Sequence, residues 1–137
     1  MAKVSDWNRR IIEEFHANEG QVGGAFQGVP ILLLHHTGAR SRLERVNPLA
    51  YQQVGDAFAV FASKGGAPTN PDWYHNARAN PDTEVEVGTE RRRMRARIAE
   101  GEERDRLYAE QSRRYPQFAE YQKGTDRTIP VVILEPV

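Results

Sequence analysis

The chain of 137 residues contains no cysteine, which excludes disulfide bonds, thiolate metal sites and cysteine nucleophiles. It also lacks an excess of charge, because 19 basic side chains balance 19 acidic ones, and no overall field attracts nucleic acid. The longest apolar runs, around residues 30–34 and 57–62, are too short to span a bilayer, and residues 1–6 lack the apolar core of a secretory signal. We therefore expect a soluble, cytoplasmic protein in which local clusters carry any anion binding.

Basic side chains crowd together directly after the first apolar run. The chain turns at Gly38 and then presents Arg40, Ser41 and Arg45, with Arg42 between them. Guanidinium groups pair with phosphates and carboxylates through two parallel hydrogen bonds, so this turn is a candidate anion site. An ordinary solvated turn is the alternative, and the glycine–lysine–serine signature of a P-loop is missing.

A second basic turn follows the next apolar run and consists of Ser63, Lys64, Gly65 and Gly66. Two such turns in one small domain suggest a large anionic ligand. The nucleophile-elbow pattern Gly-x-Ser-x-Gly is missing, so we predict that Ser63 is a hydrogen-bond donor at a strand end rather than a nucleophile.

The N-terminal segment predicts an amphipathic helix capped by Ser5, with Trp7, Ile11 and Phe15 on one face and glycines from Gly20 onward ending it. We expect this helix to dock on the rest of the protein. A peripheral membrane contact is the alternative, which its mixed charges make less favourable.

The pattern after this helix is mostly one of strands. Short apolar segments bounded by turn residues predict strands at Ile31–His36, Asn47–Gln53, Phe58–Ser63 and Ile129–Leu134. Helices are predicted from an Asn70 cap to Ala79, over Glu102–Arg114, and in a short turn up to Gln122. With several hairpin signals and no alternating β–α–β rhythm, the chain predicts a mainly β fold, an antiparallel barrel with peripheral helices. The barrel domain would span residues 29–137, after a helix and connector at residues 1–28.

A hairpin in the middle of the chain has a checkable register. With Thr89-Glu90 as its loop, the predicted opposite pairs are Val85 with Met94, Glu84 with Arg95, and Glu86 with Arg93. One face is then apolar and the other carries cross-strand ion pairs. The arginines of the second strand are therefore predicted to form a solvated sheet face and not a nucleic-acid stripe; they are Arg91, Arg93, Arg95 and Arg97.

Histidines and aromatic residues leave two interpretations open. His35 and His36 are neighbours on a strand and point to opposite faces, so no metal site is predicted. Tyr115, Phe118 and Tyr121 form a stripe that suits either a core or a cofactor pocket. Likewise, the aromatic pair Trp73-Tyr74, with Asn76, could either pack on a flat ring or anchor the helix to the barrel.

Taken together, these segments resemble a known family, the deazaflavin-dependent nitroreductase-like proteins that use coenzyme F-420. The likeness runs from Ile31 to Pro136 and rests on motifs that occur in order and with natural spacing. The motifs are Thr37–Ser41, Arg45–Leu49, Ala62–Gly66, Asn70–Asn76, Ala79–Pro81, Tyr115-Pro116 and Asp126–Pro130.

The resemblance implies a split β-barrel, related to FMN-binding barrels, and a set of site residues. Arg40, Ser41 and Arg45 would hold the cofactor phosphate with Lys64 nearby, and Ser63 would line the deazaflavin ring. The other implied cofactor-binding residues are Asn47, Pro48, Gly65, Gly66, Trp73 and Asn76. Ser63, Tyr115 and Tyr121 are the implied catalytic residues, with the tyrosines shaping the substrate pocket.

The implied function is hydride transfer from reduced F-420 to a menaquinone-like quinone or a nitroaromatic acceptor. The reduced cofactor is itself the hydride donor, so the protein need only bind, orient and shield it, while a Ser63 or tyrosine hydroxyl could donate a hydrogen bond to a developing oxyanion. Two alternatives stay open: a non-catalytic deazaflavin- or flavin-binding carrier, and an FMN-dependent enzyme of the related barrels. A monomer and a homodimer are both compatible with the sequence.

Three departures from the family pattern bear on these expectations. Arg42 stands where the family usually has glycine, which adds charge at the first basic turn. Ala50 stands where some relatives carry tyrosine, and the neighbouring Tyr51 should face the other way. Phe118 replaces a tyrosine, which removes a hydroxyl, and Ala50 and Phe118 together put bulky nitroheterocyclic substrates in doubt.

Overall fold

Residues 6–23 and 28–137 are described by a computed structural model of the chain. In those ranges the strands are β1 (Ile31–Thr37), β2 (Glu44–Val54), β3 (Ala57–Phe61), β4 (Asp82–Val87), β5 (Glu90–Ile98) and β6 (Val131–Pro136). The helices are α1 (Asp6–Ala17), α2 (Asp72–Ala79), α3 (Gly101–Arg114) and α4 (Gln117–Lys123), and a 3-10 turn covers Lys64–Gly66.

The six strands close into one antiparallel barrel in the order β1-β2-β3-β6-β5-β4, with β4 pairing back onto β1. This confirms the predicted fold class, a mainly β barrel with helices at its periphery. A closed barrel leaves no unpaired sheet edge, so every strand is hydrogen-bonded on both sides.

Alternate side chains of the strands fill the barrel interior. Leu32 and Leu34 of β1 are fully buried there, and helix α2 adds the side chains of Trp73, Tyr74 and Ala77 to the same apolar cluster. Helix α2 is therefore anchored to the barrel by its aromatic pair.

Two further apolar clusters cover the outside of the barrel. Helices α3 and α4 pack on β3 and β6, where Phe61, Tyr108 and Phe118 are buried together. Helix α1 packs on β1 and β2 through Ile11 and Phe15. Ala50 of β2 contacts both outer clusters, so the small side chain lies where they meet.

Helix α1 docks on the barrel as expected, although its apolar face is shorter than predicted. Ile11 and Phe15 are 6 % and 1 % exposed, whereas Trp7, one turn earlier, is 55 % exposed. The helix ends at Ala17, and Gly20 follows with a positive φ of 94° at a close approach to Gly88, where a Cβ on Gly20 would lie 2.6 Å from the Gly88 Cα. The predicted cap, Ser5, lies outside the described residues.

The predicted hairpin register is wrong by two residues. Val85 pairs with Arg92 and Thr83 pairs with Met94, because the turn is formed at Gly88-Thr89 and not at Thr89-Glu90. Gly88 has a φ of 59°, a conformation that glycine adopts without strain and tight hairpin turns require. A shift of two preserves the side-chain alternation, so both faces are as predicted.

The outer face of this hairpin is solvated, as predicted. The four odd-numbered arginines of β5 are all exposed, and ion pairs join Arg91 to Glu84 at 2.5 Å and Arg95 to Asp82 at 3.1 Å.

The start of α2 also differs from the prediction. The N-cap is Pro71, not Asn70, and the helix begins at Asp72. The side-chain oxygen of Asn70 instead accepts a hydrogen bond from the Arg127 guanidinium. This long-range hydrogen bond replaces the contact that Asn70 would have made with the helix backbone as an N-cap. The end of the helix at Ala79 is as predicted. In the described ranges, no helix is long and apolar enough to cross a membrane.

Candidate functional site

A cavity of about 550 Å³ lies between the first basic turn and helix α2. Its lining residues are Gly38, Ala39, Arg40, Ser41, Arg45, Asp72, His75 and Asn76. The structure thus brings together all three residues that were expected to hold a phosphate, and it adds Asn76 from a segment about thirty residues later in the sequence.

The first basic turn is closed by its own backbone. The Gly38 N–H donates to the Leu43 carbonyl at 2.9 Å, and the Arg42 N–H donates to the Gly38 carbonyl at 3.1 Å. The Leu43 N–H donates to Ser41 Oγ at 3.2 Å, which leaves the Ser41 hydroxyl hydrogen available as a donor. Arg42 has a φ of 63°, in the left-handed region that favours glycine.

A chain of hydrogen bonds between buried or half-buried side chains supports this turn. The Ala39 N–H donates to Asn76 Oδ1 at 2.9 Å, and Asn76 Nδ2 donates to His36 Nδ1 at 3.2 Å. His36 Nε2 then donates to Asn47 Oδ1 at 2.7 Å, so the network requires a neutral His36 with its proton on Nε2.

The burial of His36 favours the same neutral state. The side chain is 2 % exposed, and this burial, assisted by the positive charge of Arg45, lowers the pKa of His36 below its ordinary value. The hydrogen bond to Asn47 opposes the shift without cancelling it. His36 is therefore a packed histidine that supports the first basic turn through Asn76.

This network changes the expected task of two predicted cofactor-binding residues. The amide oxygens of Asn47 and Asn76 are both engaged inside the protein, so these side chains position the turn. Pro48, a third predicted residue, is half-buried on β2 opposite Leu33.

The Arg45 guanidinium has an unfilled hydrogen-bonding position. Its Nε atom is buried and has no hydrogen-bond partner among the residues that the structure describes, although the atom lies in a cavity-lining residue. A buried donor without an acceptor is costly, so an anion in the cavity would fit the electrostatics of the site. The carboxylate of Asp72 also lines the cavity, so Arg40 and Arg45 must outweigh one negative charge there.

The second basic turn lies against helix α4. The Gly66 N–H donates to the Ser63 carbonyl at 2.9 Å, and Gly65 and Gly66 both have positive φ angles. A Cβ on Gly66 would lie 2.9 Å from the Tyr121 carbonyl oxygen, so only glycine permits this close approach. Lys64 Nζ donates to Thr69 Oγ1 at 3.2 Å, and Lys64 is not among the residues that line the Arg40 cavity.

The aromatic stripe lies at the edge of the outer cluster that covers β3 and β6. Phe118 is 6 % exposed and serves as core, whereas Tyr115 and Tyr121 are half-buried against the same cluster as Ala50. The Tyr115 hydroxyl donates to the Gly28 carbonyl at 3.4 Å. Tyr121 lies against Phe118, with ring centroids 5.3 Å apart, and its backbone approaches Gly66 of the second basic turn.

Tyr51 and Trp73 both face the barrel interior. The Tyr51 ring lies 5.2 Å from the Phe58 ring, which confirms that Tyr51 points away from the Ala50 side. Trp73 is 4 % exposed and packs in the interior cluster, which matches the anchoring alternative for this residue.

Two residues that support the basic turns, His36 and Arg127, were not among the predicted site residues. For His36 the sequence predicted a packed or surface histidine and no metal ligand, and the structure confirms the packed state. Its position just before the first basic turn was the available signal. Arg127 belongs to the motif Asp126–Pro130, and its guanidinium donates to the second basic turn. In residues 6–23 and 28–137 no group of three acidic or histidine side chains could hold a metal ion.

Comparison with known proteins gives a consistent result. The family model for F420H(2)-dependent quinone reductase matches residues 7–136. A protein of Mycobacterium tuberculosis (strain ATCC 25618 / H37Rv) described as an F420H(2)-dependent quinone reductase is 40 % identical over 124 residues, which cover 88 % of this chain and 83 % of that protein.

Solved structures agree in fold and in sequence. The structure of an F420-H2 dependent reductase (FDR-A) has 44 % identity and a TM-score of 0.71, covering 77 % of this chain and 94 % of that one. A second structure, described as a domain-swapped dimer, has 40 % identity and a TM-score of 0.73, covering 95 % and 98 %. The haem storage protein HutZ of Vibrio cholerae, at 16 % identity and a TM-score of 0.61, shares the fold alone.

Proposed function

Because the chain belongs to the F420H(2)-dependent quinone reductase family, we propose that its Arg40 cavity holds the anionic tail of reduced F-420. The protein is an oxidoreductase that transfers a hydride from reduced F-420 to a quinone-like acceptor.

The observation that carries the proposal is the buried, unpartnered Nε of Arg45 beside the exposed side chains of Arg40 and Ser41. A phosphate would give that N–H its missing acceptor, and Arg40 could supply a bidentate contact from the mouth of the cavity. The Ser41 hydroxyl still has a hydrogen to donate. The first turn, held by Asn76, would therefore recognise the charge of the tail.

The second basic turn, with Tyr115 and Tyr121, would contact the deazaflavin ring and the electron acceptor. Bound F-420 in its reduced form supplies the hydride, so these side chains need only bind, orient and exclude water. The Ser63 hydroxyl would donate a hydrogen bond at the oxygen of the acceptor that becomes negative. Tyr115 and Tyr121, half-buried against the same outer cluster as Ala50, would hold a planar acceptor, and Gly66 allows the backbone of Tyr121 to approach the second basic turn.

A flat quinone is the acceptor that we propose, with nitroaromatic compounds as further acceptors. Ala50 is small and packs against both outer clusters, so a larger side chain at this position would project between them. Phe118 is buried and offers no hydroxyl, so polar recognition of the acceptor would fall to Tyr115, Tyr121 and Ser63. Turnover with menadione and with a nitroaromatic compound, in wild type and in Ala50→Tyr, tests this assignment; the substitution should lower turnover of the bulkier acceptor more.

Helix α1 supports a peripheral membrane contact through Trp7, which is 55 % exposed on a helix docked at the barrel surface. Indole rings favour the interface between water and lipid. Flotation with phosphatidylcholine vesicles should recover the wild type, and Trp7→Ala should reduce that recovery. Equal recovery of both proteins would remove Trp7 from the contact, and size-exclusion chromatography of the same samples would separate monomer from homodimer.

The decisive experiment measures cofactor affinity. Arg40→Ala and Arg45→Ala should each raise the dissociation constant of F-420 about tenfold or more, because a charge-assisted hydrogen bond contributes about 1.5–3 kcal/mol. Arg93→Ala, which removes an exposed arginine of the solvated β5 face, is the matched control and should leave the constant unchanged.

The same protein preparation also distinguishes the F-420-dependent reductase from the two alternative functions, a carrier and an FMN enzyme. Reduced F-420 is mixed with menadione and protein, and the return of the deazaflavin absorbance is followed. Turnover that falls in the two cavity variants and not in Arg93→Ala supports the assignment. Unchanged dissociation constants in both variants would remove the cavity from the cofactor site, whereas tight binding without turnover would favour a carrier, and a yellow, flavin-containing preparation an FMN enzyme.

A further inference from the structure

Arg127 lies between α4 and β6, and each nitrogen of its guanidinium group donates a hydrogen bond. Nε donates to the Ala67 carbonyl at 2.9 Å, and Nη2 donates to the Ser63 carbonyl at 2.8 Å. Nη1 donates to the Ala62 carbonyl at 3.1 Å and to Asn70 Oδ1 at 2.6 Å. Four acceptors that are up to eight residues apart in the sequence thus meet at one side chain.

These acceptors belong to two parts of the candidate site. Ser63 is part of the second basic turn, Ala62 and Ala67 flank it, and Asn70 precedes Pro71, the N-cap of helix α2. Helix α2 supplies Asn76 to the Arg40 cavity. The guanidinium of Arg127 therefore links the backbone of one basic turn to the element that supports the other.

The bonds of Arg127 are of a kind that positions its partners firmly. The donor is charged and the acceptors are neutral carbonyl oxygens, and charge-assisted hydrogen bonds are stronger than neutral ones. Among the described residues, no carboxylate lies within ion-pair distance of Arg127. Its planar, fork-like group matches several acceptors at once, which the single ammonium of a lysine cannot do.

We propose that Arg127 is a positioning residue that sets the spacing between the Ser63 turn and the Arg40 cavity, so that both bind different parts of one ligand molecule. This rests on the proposed function, in which the first turn takes the anionic tail of F-420 and the second takes its ring. A ligand that spans two sites gains affinity only while the separation of the sites matches its length.

The test compares intact F-420 with the deazaflavin compound that lacks the phosphate-bearing tail. The dissociation constant of the tail-less compound, divided by that of F-420, measures how much the tail adds to binding once the ring is in place. In Arg127→Gln this ratio should fall about fivefold or more, because the turns no longer hold a common spacing. Asn70→Ala, which removes only the link to α2, should lower the ratio in the same direction by a smaller factor.

The matched control is Arg104→Gln. Arg104 donates to the Ile129 carbonyl at 3.0 Å and to Gln122 Oε1 at 2.7 Å, so its loss loosens the same connecting segment without touching either turn. Its ratio should equal that of the wild type even if its stability to urea falls.

Each outcome either supports or overturns the positioning role of Arg127. An unchanged ratio in both Arg127→Gln and Asn70→Ala, or an equal fall in Arg104→Gln, would overturn the proposal. If Arg127→Gln does not fold, Asn70→Ala alone decides. A wild-type protein that binds neither compound would instead refute the proposed function, and a wild type in which the tail adds nothing to binding would overturn the two-turn arrangement.

Discussion

Asn76→Ala should lower the free energy of unfolding by about 2–4 kcal/mol, since one buried side chain makes two hydrogen bonds that nothing else replaces. Asn76 is 7 % exposed; its Oδ1 accepts from the Ala39 N–H and its Nδ2 donates to His36 Nδ1. Losing the acceptor for Ala39 costs about 1 kcal/mol, and leaving Nδ1 of the 2 %-exposed His36 unpaired adds about 1–3 kcal/mol.

Urea unfolding followed by circular dichroism gives this difference, provided the slope of the transition is unchanged. Asn80→Ala is the matched control on the same helix, because Asn80 makes one bond, from Nδ2 to the Thr37 carbonyl at 3.3 Å, and should cost about 1 kcal/mol or less. A loss in Asn76→Ala no larger than that of Asn80→Ala would refute the argument that the chain of hydrogen bonds supports the first turn.

The conservative variant Asn76→Asp sharpens the test. It keeps an acceptor for the Ala39 N–H but turns a carboxylate oxygen toward His36 Nδ1, which then has no donor opposite it. An adjacent carboxylate favours the protonated imidazole, so the pKa of His36 should move from below its ordinary value to above it. An NMR titration of the imidazole protons measures the change, and a pKa that stays low would contradict the contact between residue 76 and His36 Nδ1.

Two further outcomes follow from particular residues. Arg42→Gly should raise the free energy of unfolding by up to about 1 kcal/mol, because Arg42 occupies the left-handed region at a φ of 63°; a loss in urea stability would contradict this. Because burial lowers the pKa of His36, the unfolded chain binds the proton more readily, so stability should decrease as the pH falls below 6.5. Urea midpoints at falling pH measure this, and His36→Gln should weaken the dependence.

Local patterns in the sequence were sufficient to predict the barrel strands and the end of α2. Short apolar segments between turn signals marked β1, β2 and β3, and Asn80-Pro81 marked the stop after Ala79. The first basic turn was also predictable, because Gly38, Arg40 and Arg45 lie within eight residues of one another. Backbone hydrogen bonds within the same segment close the turn.

The hairpin register shows where a local pattern stops being decisive. A two-residue shift leaves every side chain on its predicted face, so alternation alone does not distinguish the two registers. The conformation of Gly88 in the turn selected one of them.

The sequence by itself indicated antiparallel strands of a barrel with a basic turn after the first strand, because strand segments and turns depend on neighbours in the chain. The closure of the barrel depends on distant pairings, β1 with β4 and β3 with β6. Only the tertiary structure decided what each polar side chain near the site is bonded to. Asn76 meets His36 across 40 residues, and Arg127 meets Asn70 across 57. No periodicity encodes such pairs, since they form only when the closed barrel brings distant segments within hydrogen-bonding distance.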